Sequence, residues 1–310
     1  MAAAMVASGC GAATVASGGE EEGGRGGGST GAGAAAAAVA PDETAFDLLR
    51  ALRSCRSTGL PCVDAHLPGG LGPSELLVLH GEAAAAKSAL LQNIIAEHIA
   101  PVALGGHALP AVMIDADGAF DVGRLVALLE ARAARWAARD DAPCGEQISE
   151  FAKEALSRLL VFCPEEPIDL LRQLRQLREV LGANPAASLI AVDAMTAWQP
   201  LCSAFSRAVP PVLRECWSAL ARLQRELCVS VVVVQRDLHV DNIAGNAAHA
   251  SAEGSGTANT CHLSIMRRGP NPDGFAGDAF LVAPRMRGPE AAAPAAFAFT
   301  RMGEVVGVPC

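Results

Sequence analysis

Leu76-Leu77-Val78-Leu79-His80-Gly81-Glu82-Ala83-Ala84-Ala85-Ala86-Lys87-Ser88-Ala89-Leu90-Leu91 is the stretch that decides the fold. An apolar run from Leu76 meets a loop at Gly81, and Lys87-Ser88 lead into a helical pattern that continues through Ile94-Ile95. Strand, loop, Lys-Ser and helix in that order are the context of a phosphate-binding loop. In such a loop the backbone amides wrap phosphates, the lysine neutralises the β and γ oxygens, and the Ser/Thr hydroxyl binds magnesium. Gly81, Glu82, Ala83, Ala84, Ala85, Ala86, Lys87 and Ser88 are therefore the candidate nucleotide-binding residues, with ATP and Mg2+ as the expected ligands. Ala86 departs from the pattern, because glycine is usual there. A Cβ in a strained backbone conformation costs about 1 kcal/mol or more, which sets the loop against ATP and Mg2+ alike. The competing reading is an alanine-rich helix start with Lys87 solvated.

Downstream, buried-type strands alternate with helices. Val112-Met113-Ile114-Asp115, Leu159-Leu160-Val161-Phe162, Leu189-Ile190-Ala191-Val192-Asp193 and Val229 to Val234 read as strands. Helical patterns span Val122 to Ala138, Ile168 to Leu181 and Val212 to Leu227. Continuous apolar strands separated by helices predict an α/β fold, with a mostly parallel sheet covered on both faces. After a polar loop at 236–260, shorter pieces at Phe280-Leu281-Val282 and Ala296-Phe297-Ala298-Phe299 predict an antiparallel C-terminal extension. Asp193 ends its strand as a Walker B carboxylate does, so Ser88 and Asp193 form the candidate magnesium pair. Val231 to Val234 delivers Gln235 to a strand end, where an amide can sense a γ-phosphate or simply satisfy the sheet rim.

Residues 1–41 are nearly all Ala, Gly, Ser, Val and Glu and predict a disordered tail. Residues 42–75 hold a short amphipathic helix at Phe46 to Leu52 and a Gly/Pro-rich link, and 76–310 form the ATPase-fold domain. The formal net charge of −9, the absence of tyrosine and an aromatic content of 4% argue against autonomous nucleic-acid binding, which needs cationic faces and stacking platforms. Trp198 and Trp217 read as helical core residues. Ten scattered cysteines without a Cys-x-x-Cys pair read as reduced thiols, not as a zinc site. No run of strongly apolar residues is long enough for a membrane span.

A further segment, Ile114-Asp115-Ala116-Asp117-Gly118-Ala119-Phe120-Asp121-Val122-Gly123-Arg124-Leu125, resembles the eukaryotic RecA-type strand-exchange recombinases. There an Ile-Asp-x-Glu-Gly-x-Phe stretch follows the P-loop helix, and its glutamate polarises the attacking water. Asp117 holds that position here, one methylene shorter. Thr58-Gly59-Leu60-Pro61, Gly69-Gly70-Leu71, the Walker B strand and Gln235 extend the resemblance. His80-Gly81, Asp117, Phe120-Asp121 with Arg124-Leu125-Val126, Gly303-Glu304 and Val308-Pro309-Cys310 are similar to the paralogue branch of that family.

The resemblance implies a RecA-like P-loop ATPase core with catalytic roles for Asp117 and Gln235. It also implies a nuclear subunit for homologous-recombination DNA repair that assists the recombinase on single-stranded DNA. The implied partner is another RecA-type paralogue, the D member. The loop 236–260 carries one arginine against Asp237, Asp241 and Glu253, a poor grip on a phosphate backbone. The expectation is a weak DNA-dependent ATPase at most. An active strand-exchange enzyme is the alternative, and a P-loop small-molecule kinase a more distant one.

Overall fold

Leu76–Gly81 forms β1, six consecutive buried residues. Ala111–Asp115 (β2) and Leu189–Asp193 (β4) are buried throughout, and Ser230–Arg236 (β5) is buried up to its last residue. Such strands have no solvent side and need helices on both faces. The computed structural model describes residues 54–137, 145–183, 188–198, 211–236, 260–270, 278–284, 293–300 and 303–308. The expected tail, the helix at Phe46 to Leu52, nearly all of the loop 236–260 and Pro309-Cys310 lie outside the described residues.

Among the described residues the sheet has nine strands in the order β3-β2-β4-β5-β1-β6-β7-β8-β9. Here β3 is Leu159–Phe162, β6 Thr260–Pro270, β7 Asp278–Pro284, β8 Ala295–Phe299 and β9 Val305–Val308. Pairing is parallel from β3 through β6 and antiparallel from β6 to β9. The fold is therefore α/β, a mostly parallel sheet with antiparallel C-terminal strands.

The short helix α1 (Pro61–Asp64) precedes β1. Its Asp64 carboxylate accepts from the Thr58 amide at 2.9 Å and the Thr58 hydroxyl at 2.7 Å, fixing the Gly/Pro-rich link. Helices α2 (Lys87–Ile99), α3 (Val122–Ala137) and α4 (Gly145–Leu156) cover one face of the sheet. Leu90, Ile95, Leu125 and Ala155 there pack with Leu77, Met113, Ala191 and Val232. Helices α5 (Pro167–Ala183) and α6 (Pro211–Leu227) cover the other, where Leu174, Leu177 and Leu220 meet Val78, Ile114, Ile190 and Val231. Alternate residues of each strand serve opposite layers, as the pleat requires.

Three elements differ from the sequence reading. The eleven-residue β6 lies between the expected polar loop and the expected C-terminal pieces, where the sequence reading has no strand, and it joins the parallel and antiparallel halves of the sheet. Its Leu263 and Ile265 are buried while Met266 is exposed, and His262 Nδ1 lies 2.9 Å from His80 Nε2 on β1. Helix α4 is an addition that small residues conceal, since Ala152 and Ala155 supply its buried side. Strand β3, expected to be covered, is an edge strand with Leu160 43% and Val161 42% exposed. Trp198 is buried as expected but lies in a turn after β4, where its indole N–H donates to the Glu165 carbonyl at 3.2 Å.

Six cysteines fall among the described residues, all free thiols. Cys55, Cys163 and Cys228 are exposed. Burial pushes the Cys62 thiol up to about 12 and those of Cys216 and Cys261 up to about 11.

Candidate functional site

Open parallel sheets bind ligands beyond the carboxyl ends of their strands, where the chain order switches direction. Here the ends of β1, β4 and β5 and the turn after β2 surround a cleft of about 300 Å³. Ala83 through Ala89, Asp117, Arg124, Asp193, Val234, Arg236, Phe280 and Phe299 are among its lining residues.

The loop between β1 and α2 forms the floor. Gly81 has φ +158°, and a Cβ on it would lie 2.4 Å from the Ile265 carbonyl oxygen of β6, so the neighbouring strand excludes every other residue. Ala84 (φ 60°) and Ala86 (φ 62°, ψ 16°) are both left-handed. The substitution of alanine for glycine thus leaves the backbone in a conformation that favours glycine, at a cost of about 1 kcal/mol for each alanine. Ala86 is also the N-cap of α2 and offers no side-chain oxygen to its first amides. A helix start in that condition directs amide donors and the positive end of the dipole toward the cleft.

Lys87 is buried, with its ammonium turned back onto the loop. It donates to the Gly81 carbonyl at 3.0 Å and to the Glu82 carbonyl at 2.6 Å. The Ser88 hydroxyl donates to the Asp193 carboxylate. Burial first, then the charges of Asp117 and Asp115, push the Asp193 carboxyl up to about 6 against the opposing Ser88 bond and Lys87 charge. Burial therefore disfavours the Asp193 anion, and a cation beside it would favour that form.

Asp115 closes β2 and shapes the following turn. Its two oxygens accept from the Ala119 amide at 3.1 Å and the Phe120 amide at 3.2 Å. That turn presents Asp117 to the cleft, and burial raises the Asp117 carboxyl above its ordinary range. The Arg236 guanidinium lies 3.7 Å from Asp117, and the Arg236 backbone N–H donates to the Thr196 hydroxyl at 2.9 Å. On the far wall Arg124 sits over the Phe299 ring at 5.8 Å.

Gln235 is buried beside His80 in register and is not among the lining residues. Val234 and Arg236, on the opposite side of the pleat, do line the cleft. The structure thus gathers Ala83 to Ser88, Asp117 and Asp193 around one space, while Gly81 and Glu82 are not among its lining residues and Gln235 lies behind the strand. Sequence reading missed Arg236 and Arg124. The signal for Arg236 was strand parity, since a residue two positions from Val234 shares its face.

The residues fit a magnesium-bound polyphosphate. Ser88 and Asp193 offer adjacent oxygen donors of the kind magnesium selects, while the loop amides and Lys87 offer phosphate donors. Among the described residues no cluster of three or more His, Cys, Asp or Glu side chains is arranged to hold a metal without such help.

These features define an α/β protein with a strand-end cleft built on a Lys-Ser helix start, an arrangement compatible with a RecA-like fold. Part of the chain is similar to a known protein, DNA repair protein XRCC2 of Mus musculus, at 27% identity over 124 residues. The match covers 40% of this chain and spans about two fifths (41%) of that relative's length. No protein-family model matches the sequence.

Proposed function

We propose that the chain is a recombinase paralogue, a nuclear subunit of a heteromeric complex for homologous-recombination DNA repair. In this reading the sheet is a RecA-like P-loop core, the partner is another RecA-type paralogue (the D member), and single-stranded DNA is met mainly through the complex. The likeness to a DNA repair protein supports the pathway. The net charge of −9 supports DNA contact through partners, because phosphate neutralisation needs cationic surface.

The observation that carries a nucleotide role is the convergence of Lys87, Ser88 and Asp193 on one loop and one cleft. ATP supplies the phosphates and magnesium their countercharge; Lys87 would hold the former, and Ser88 with Asp193 the latter. Asp117 is the residue that would orient water. Its short side chain, Arg236 beside it and the strain at Ala84 and Ala86 support weak or absent hydrolysis.

Calorimetric titration of the full chain with Mg-ATP tests this directly. Lys87→Ala is expected to weaken binding at least tenfold, since a charge-assisted contact to phosphate contributes about 1.5–3 kcal/mol. Equal affinity in wild type and variant would remove the lysine from the role, and a folded wild type that binds no nucleotide would leave a scaffold.

A further inference from the structure

Among the described residues three cations face the cleft, and each rests on a partner within the chain. Lys87 donates to two loop carbonyls, Arg124 lies over the Phe299 ring, and Arg236 is beside Asp117. The Arg236–Asp117 contact is the weakest held of the three. At 3.7 Å it exceeds hydrogen-bond distance, and the arginine side chain is 44% exposed, so water screens the pair. Its backbone, by contrast, is fixed. Arg236 pairs in register with Gly81, the first residue of the loop, and its amide is anchored on Thr196. A solvent-exposed head on a fixed stem, opposite a phosphate-type loop, is the arrangement of a residue that can change partner when an anion enters.

We infer that Arg236 takes the terminal phosphate of a bound nucleoside triphosphate, exchanging Asp117 for that phosphate; this rests on the nucleotide reading above. Strand geometry favours it over Gln235. Val234 and Arg236 face the cleft side of β5 while Gln235 faces the other layer, so a sensing group at this strand end must be the arginine. The exchange is between two anions. In this structure Arg236 faces Asp117 Oδ2, while Asp117 Oδ1 accepts from the Ala119 amide at 3.2 Å; Asp115 accepts from the Ala119 and Phe120 amides and Asp193 from Ser88. A diphosphate lacks the group that competes, so Arg236 stays with Asp117. The site then distinguishes triphosphate from diphosphate through one side chain on a fixed backbone.

The test is a set of titrations of the full chain with Mg-ATP and, separately, Mg-ADP. Arg236→Ala is expected to lower affinity for Mg-ATP about tenfold, the typical scale of one charge-assisted bond, and to leave Mg-ADP within about twofold. The Thr196 bond uses the backbone amide and survives this change, so the variant is expected to unfold at the wild-type temperature. Asp117→Asn is expected to raise Mg-ATP affinity in the wild-type background but not with Arg236→Ala, a coupling absent for Mg-ADP. Equal losses for both nucleotides in Arg236→Ala, or no coupling to residue 117, would overturn the inference while leaving the nucleotide site intact. A wild type that binds neither nucleotide, with Lys87→Ala indistinguishable from it, would overturn both.

Discussion

The two ends of α2 solve opposite problems. At its C-terminus the carbonyls that a helix leaves unpaired are finished by the protein itself. His107 donates its amide to Glu97 at 3.1 Å, Leu109 to His98 at 3.0 Å, and Ala108 to Ala100 at 2.8 Å. The Arg158 guanidinium reaches the Ile99 carbonyl at 3.2 Å. Side chains there are settled too: buried Glu97 pairs with Arg132, and His98 Nε2 lies 2.8 Å from the Ser188 hydroxyl. At the N-terminus the cap is an alanine in a left-handed conformation, and the nearby charges rest on replaceable partners. One end is organised for stability and the other carries strain next to a cleft, the usual location of strain in proteins that bind something.

The largest expected effect breaks the stable end. Glu97→Ala leaves the half-buried Arg132 without its carboxylate and should cost roughly 3 kcal/mol in urea denaturation. A loss below about 1 kcal/mol would class the pair with ordinary surface ion pairs.

Acid should attack the same end. Burial above all, then the charges of His107 and Arg56, lower the His98 imidazole from 6.5 to about 3. The unfolded chain therefore binds more protons between those values, so stability associated with His98 is complete above pH 6.5 and lost as pH falls toward 3. Between pH 7 and pH 4 the loss is expected to be about 3 kcal/mol larger in the wild type than in His98→Gln, measured by parallel denaturation series. Parallel curves for the two proteins would place the ring in solvent.

The smallest effect sharpens the strained end. Ala86→Gly relieves a left-handed alanine but adds freedom to the unfolded chain, and the net gain is expected to be about 0.5 kcal/mol. Its more telling readout is Mg-ATP affinity, which should rise if the strain opposes the ligand-bound loop. A clear loss of stability would mean that alanine's Cβ contributes packing that outweighs its conformational cost.

Much of this contrast was legible before the structure. The strands β1, β2, β4 and β5 announce themselves as unbroken apolar runs because both their faces are buried. Lys87, Ser88 and Asp193 follow from their order relative to those strands. β6 escaped because its burial is one-sided: Leu263 and Ile265 alternate with polar or exposed neighbours inside a segment rich in polar residues. The His98 environment was invisible since Ser188 and His107 reach it through tertiary contact. Arg236 was hidden by a subtler fact. Sequence places a residue at a strand end, but only register and pleat decide which layer it addresses. Gln235 and Arg236 are neighbours in the chain and belong to opposite sides of the sheet.

The cysteines give the molecule a set of internal clocks. Cys62 sits in α1 beneath the first face of the sheet, Cys216 lies in α6 on the second, and Cys261 opens β6, where the strands begin to run antiparallel. Thiolate is the reactive form, so thiols held up to about 11 or 12 stay silent toward alkylating reagents until their own layer opens. Timed labelling read peptide by peptide would thus show whether the two layers and the C-terminal strands come apart together or in sequence, with Cys55, Cys163 and Cys228 marking the zero of the clock.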